Sequence, residues 1–266
     1  MQPAQRPTVV LLHSSASSAR QWERLVEALA PHFRVRAIEL HGHGERMAWR
    51  GDAPLTLADE AALAVPLLEE AGGAHVVGHS YGAAVALKLT TMYPKLVRSL
   101  VTYEPVLFRW LFDDIDHQQL GQGVVTVADS MRDRLANGQE HSAAQLFIDF
   151  WSGAGSWDSV PSGKQTSIAA RMRAVFQQFD TLFREPLQRA QLALLNMPMM
   201  FVSVANCWWS PLGGSRIGLT GTVRVSTDSM AVPASPWRNT FPRGAVTTSS
   251  GRQEPASSRA SGGASR

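Results

Sequence analysis

The chain has 266 residues, 44% hydrophobic and 18% charged, enough to bury one sizeable core, and its one cysteine, Cys207, excludes both an internal disulfide framework and a cysteine metal cluster. The formal charge of +3 does not describe the body of the protein, because residues 207–266 carry seven Arg against Asp228 and Glu254 and leave residues 1–206 mildly acidic. Those arginines lack the helical clustering or aromatic platform of nucleic-acid binders, so no nucleic-acid partner is expected.

Met1 to Pro7 carries no signal-peptide pattern. No apolar run reaches the roughly 18–20 residues of a membrane span. The expectation is a soluble, cytoplasmic protein with no membrane partner.

Thr8 to Leu12 is a short continuous apolar run, as in a strand buried on both faces. It ends in His13-Ser14-Ser15-Ala16-Ser17-Ser18, and Trp22, Leu25, Val26 and Leu29 then follow helical spacing. Ser17 or Ser18 is placed to cap that helix. Phe33 to Leu40 reads as the next strand, ending in the loop His41-Gly42-His43-Gly44-Glu45. Thr56, with Asp59 three residues on, opens a helix predicted to run towards Glu70, and Gly72-Gly73 stops it. An apolar strand then leads into Gly78-His79-Ser80-Tyr81-Gly82 and an Ala-rich helix, which Pro94 ends. Val97 to Tyr103 is a further strand, closed by Glu104.

Strands alternating with helices predict a parallel sheet covered on both faces, with its site at the carboxyl ends of the strands. Four polar features fall at those ends: the loop after His13, the loop after His41, Ser80 and Glu104. From Val106 to Asn196 the pattern is helical and aromatic, including Ala143–Trp151 and Ile168–Phe183, with Pro161 and Pro186 as punctuation. Its aromatic residues are expected to serve mostly as core, some of them lining an apolar pocket. Pro198 then starts a returning strand through Ala205. The expected organisation is a core over 1–105, a helical cap over 106–197, a core strand over 198–206 and an atypical, disordered tail over 207–266.

Gly78-x-Ser80-x-Gly82 between strand and helix is the nucleophile-elbow pattern, a tight turn that exposes the Ser hydroxyl at a helix N-terminus. With Leu11-Leu12-His13, Leu40-His41-Gly42-His43-Gly44 and Glu104-Pro105, it makes residues 8–206 resemble the α/β-hydrolase superfamily of the capped kind. The resemblance implies an α/β-hydrolase fold with a helical cap inserted after the strand that follows the elbow. It implies Ser80 as nucleophile, the Tyr81 backbone N–H as one oxyanion donor, and Ser15, or Ser14, as the other. Glu104 fits one position for the acid of the triad; the alternative position, Ala205-Asn206-Cys207, has no acid.

The resemblance also calls for a His after the last strand, and no His follows His141. The base is therefore unassigned. His41 and His43 lie on a loop at the correct edge and His79 adjoins Ser80, but the residue before an elbow Ser usually points away. His41 and His43 lack a third ligand for zinc, so no metal is expected, and no cofactor is implied.

Beyond Asn206 the periodicity stops, and Thr247 to Arg266 is of low complexity. The C-terminal part of the sheet is expected to be incomplete. We read the change near residues 203–207 as a shift of reading frame, since three Lys against 22 Arg indicate a GC-rich gene whose other frames yield such residues. A divergent tail on a degenerate enzyme is the other reading. The expected function is hydrolysis of a small apolar ester or related acyl substrate through Ser80, impaired by the missing His. The alternative is a non-catalytic small-molecule binding or interaction protein on the same scaffold. The oligomeric state is not legible.

Overall fold

The computed structural model describes residues 6–113, 115 and 118–202. Five strands, β1 (Thr8–Leu12), β2 (Arg34–Ile38), β3 (Ala74–His79), β4 (Val97–Tyr103) and β5 (Met199–Val202), form one sheet in the order β2-β1-β3-β4-β5. Every pairing is parallel. β1 is buried along its whole length, as its unbroken apolar run requires.

The chain leaves β1 towards β2 on one side and later returns to β3 on the other. The connections therefore diverge between β1 and β3, and a crevice opens outside their carboxyl ends, where ligands bind in open α/β sheets. The loop 13–18 and the turn at Ser80 flank that crevice.

A 3-10 turn over Ala19–Trp22 and helix α1 (Glu23–Leu29) follow β1. Ser18 precedes the turn without making a side-chain cap bond, contrary to the capping role expected for Ser17 or Ser18. Thr56 does cap α2 (Leu57–Ala62) through a full capping box with Asp59. The helix predicted to reach Glu70 is two, α2 and α3 (Val65–Glu70), because Pro66 suits only a first turn and so starts a new helix. Gly72 and Gly73, both at positive φ, end α3.

Helix α4 (Tyr81–Met92) follows the elbow and is buried nearly all round, its alanines allowing close approach to the sheet. Between β4 and β5 lies the helical insertion: a 3-10 turn over Phe108–Phe112, α5 (Gln118–Ala136), α6 (Glu140–Ser152), a 3-10 turn over Ser156–Ser159, α7 (Ser162–Ala169), α8 (Met172–Arg184) and α9 (Arg189–Ala193). The run predicted from Ile168 to Phe183 is broken between Ala169 and Met172, and Pro161 and Pro186 stand outside the helices they flank.

Phe108 is the centre of the insertion's own core. It stacks on Trp151 and meets Phe179 and Phe183, each at 5.2 Å between ring centroids. Most of these aromatics are thus packing residues. No helix among the described residues is long and apolar enough to cross a membrane. The tail read as atypical and as frame-shifted, and the incomplete end of the sheet, lie outside the described residues.

Candidate active site

The turn at Ser80 is built by exclusion. A Cβ at Gly78 would strike the Gly82 carbonyl oxygen and the Ala83 backbone, and one at Gly82 would strike the carbonyls of Leu12 and His13. Glycine at both positions lets α4 start hard against the ends of β3 and β1. Ser80 sits between them at φ 53°, ψ −114°, with its N–H donating to the Tyr103 carbonyl at 2.9 Å. Such a backbone costs a non-glycine residue on the order of 1–3 kcal/mol.

Only two other non-glycine residues among those described have positive φ: Ala16 (58°) and Glu104 (48°). One follows β1 and the other follows β4, on either side of Ser80. Backbone strain is therefore concentrated at the carboxyl ends of three adjacent strands. Held strain of this kind clusters at functional sites.

The loop after β1 can be audited donor by donor. Ser14 N–H donates to Gln21 Oε1 at 3.1 Å, and Ala16 N–H donates to His43 Nε2 at 3.3 Å. Between them, Ser15 N–H has no partner among the described residues. Tyr81 N–H, in the first turn of α4, is likewise unpartnered there, as the first amides of a helix are. The two backbone donors expected to face an oxyanion are thus the two left open, and Ser14, the alternative, is already engaged.

The histidines near Ser80 are committed elsewhere. Gln21 Nε2 donates to His79 Nδ1 at 3.0 Å, the Gln21 amide being oriented by the Ser14 N–H on its oxygen. The one lone pair of neutral His79 is thereby used, and burial pushes its pKa down to about 4. His43 Nδ1 donates to the His41 carbonyl, so its lone-pair nitrogen is the one that accepts from Ala16; burial lowers its pKa also to about 4. His41 packs edge-on to Trp49 at 5.2 Å, with its pKa lowered by burial. His13 Nδ1 donates to the Ser14 carbonyl, and its Nε2 accepts from Leu40 N–H. No hydrogen bond joins an imidazole to Ser80 Oγ among the described residues.

Glu104 comes directly after Tyr103, which pairs with His79, so Ser80 and Glu104 leave neighbouring strands side by side. Its N–H donates to the Val202 carbonyl at 2.8 Å. The other position considered for an acid, 205–207, is outside the described residues. Among those residues no group of three His, Cys, Asp or Glu side chains is arranged to hold a metal ion.

A profile of the alpha/beta hydrolase family matches residues 9–258. The chain belongs to that family. The match continues past residue 206, where the resemblance read from motifs ends. A crystal structure of an alpha/beta hydrolase from Sphaerobacter thermophilus superposes with a TM-score of 0.58 over 77% of each chain at 21% identity, which speaks to fold alone. Lipase LipV of Mycobacterium tuberculosis is 35% identical over 107 residues, 40% of each protein. A pimeloyl-[acyl-carrier protein] methyl ester esterase of Vibrio vulnificus is 35% identical over 99 residues, 37% of this chain and 36% of the esterase. An acetyltransferase component of an acetoin cleaving system from Cupriavidus necator is 35% identical over 103 residues, 38% of this chain and 27% of that protein. The chain thus spans 27% to 40% of the length of these curated relatives.

In this alpha/beta hydrolase several residues that shape the site carry no motif. Gln21 ties the loop after β1 to His79, and Gln178 on α8 and Arg171 at its N-cap hold Ser15 and the Ala16 carbonyl. Glu60 of α2 is fully buried beneath the elbow, accepting from His41 N–H at 3.1 Å and from the Tyr81 hydroxyl at 3.3 Å. Burial raises its pKa to about 7 and pushes that of Tyr81 well above the usual range. The sole sequence cue for Glu60 is an acid on the apolar face of α2, beside the buried Leu57 and Ala61.

Proposed function

We propose that this family member hydrolyses a small apolar ester. Ser80 Oγ bonds to the acyl carbon, the alkoxide leaves with a proton, and water then releases the acid and restores the hydroxyl. The amides of Ser15 and Tyr81 stabilise the oxyanion, and Glu104 is the candidate acid. Carbon–carbon bond hydrolysis and amide hydrolysis use the same framework.

The observation that carries this reading is the pair of open amides, Ser15 and Tyr81, on either side of the strained Ser80. A donor of this kind contributes roughly 2.7–4 kcal/mol in the transition state. The ester class is supported by relatives named as a lipase and as a methyl ester esterase. No general base is assigned.

A second reading is favoured by the committed lone pairs of His43 and His79. With no imidazole bonded to Ser80 Oγ among the described residues, the same cleft serves as a non-catalytic small-molecule site. A fluorophosphonate probe separates the two. Labelling at Ser80, lost in Ser80→Ala, together with p-nitrophenyl acetate turnover supports the hydrolase. A folded protein showing neither is a binding protein.

A further inference from the structure

Between the loop after β1 and the insertion is an open cavity of about 340 Å3. Ser15 forms part of one wall. Phe147 and Ile148 of α6, Val160 before α7 and Ile168 of α7 form an apolar wall, and Ser17, Ser152 and Ser156 add hydroxyls to the lining. Lys164, in the first turn of α7, is the cavity's one charged lining residue and makes no ion pair among the described residues.

We propose that this cavity is the acyl subsite, and that Lys164 selects acyl chains ending in a carboxylate. The inference rests on the reading above, in which Ser15 N–H faces the reacting carbonyl. A chain whose carbonyl meets Ser15 extends along the apolar wall and brings its far end to the ammonium. A neutral tail offers that ammonium nothing, whereas a terminal carboxylate forms a charge-assisted hydrogen bond with it. One ammonium matches the single charge of a carboxylate. A cavity of this size is at the small end of ligand sites, which fits a short acyl chain.

The test separates binding from chemistry. In the full chain carrying Ser80→Ala, the affinities of monomethyl adipate and of methyl hexanoate are measured by titration calorimetry. The adipate is expected to bind about fivefold more tightly, the scale of a partly solvated ion pair, and the preference should shrink as salt is raised. Lys164→Met should remove the preference, and Lys95→Met, an exposed lysine outside the cavity, should leave it. Equal binding of the two esters, or a preference that survives Lys164→Met, overturns the subsite. Hydrolysis of either ester by the unsubstituted chain is scored separately. A Lys164-dependent preference without hydrolysis upholds the subsite and removes the hydrolase reading, and hydrolysis without the preference does the reverse.

Discussion

The Ser15 hydroxyl donates to Gln178 Oε1 at 2.7 Å, joining the loop after β1 to α8 of the insertion across 163 residues of sequence. Arg171, the N-cap of α8, donates to the Ala16 carbonyl at 3.3 Å, and a Cβ at Gly42 would collide with Ala174 on that helix. The helix and its N-cap therefore hold the loop at two consecutive residues. The loop's shape, rather than any side chain it carries, decides whether Ser15 N–H points at a substrate.

Gln178 is fully buried, and its Nε2 has no partner among the described residues. Gln178→Met keeps the volume, removes the orphaned amide and cuts the link to Ser15. An orphaned buried donor costs about 1–3 kcal/mol and a neutral hydrogen bond contributes about 0.5–1.5 kcal/mol, so the melting temperature should hold or rise. The fluorophosphonate labelling rate at Ser80 should nevertheless fall, by about tenfold if an oxyanion donor loses part of its alignment. A rate unchanged in a folded variant would show that α8 does not set the loop.

The limits of legibility follow from the range of the interactions. Thr8–Leu12 and Val97–Tyr103 are recovered residue for residue, because unbroken apolar runs bounded by polar turns admit no other period. The elbow is legible because its glycines answer to local collisions within a few residues and one neighbouring strand. Gln21, Arg171 and Gln178 are not, since a polar residue in a turn, at a helix cap or on an amphipathic helix has the same local sequence whether it meets water or a loop far along the chain. The break between α7 and α8 has no Gly or Pro to announce it, and the apolar period runs through it. The base is unassigned for a different reason: the resemblance places it after the last strand, where the sequence contains no His.

Glu60 gives the elbow a pH dependence of defined sign. Its carboxyl moves from an ordinary value of 4.5 to about 7 through burial, so the folded chain holds the extra proton between those values. Its contribution to stability is fully present below 4.5 and is lost as pH rises through about 7. His43 and His79 move the other way, from 6.5 to about 4, so their contribution is present above 6.5 and lost as pH falls through about 4. The effects oppose one another from 4.5 until the unfolded histidines have lost their protons, about one pH unit above 6.5. The Glu60 contribution is therefore read as a difference, in which the histidines cancel. Thermal melts from about pH 5 to about pH 8 should show the unsubstituted chain losing stability relative to Glu60→Gln as pH rises. A difference that does not change with pH would place the titrating group elsewhere.

Lys88 of α4 and Glu185, directly after α8, form an ion pair at 2.9 Å that joins the elbow helix to the insertion. Glu185 is 4% exposed, and the same oxygen also accepts Leu187 N–H at 3.0 Å, which fixes the chain's turn into α9. Removing only the lysine strands a carboxylate in the interior. Lys88→Met should therefore destabilise by about 3 kcal/mol, the low end for a broken buried pair, since Lys88 itself retains some contact with water. At about 2–4 °C per kcal/mol for a domain of this size, the melting temperature should drop by roughly 6–12 °C. Glu185→Gln, which keeps an acceptor for Leu187 N–H, should cost less, and combining it with Lys88→Met should recover part of the loss. A double-mutant cycle over the four proteins measures the coupling, and strictly additive losses would show that the pair does not hold the insertion to the elbow.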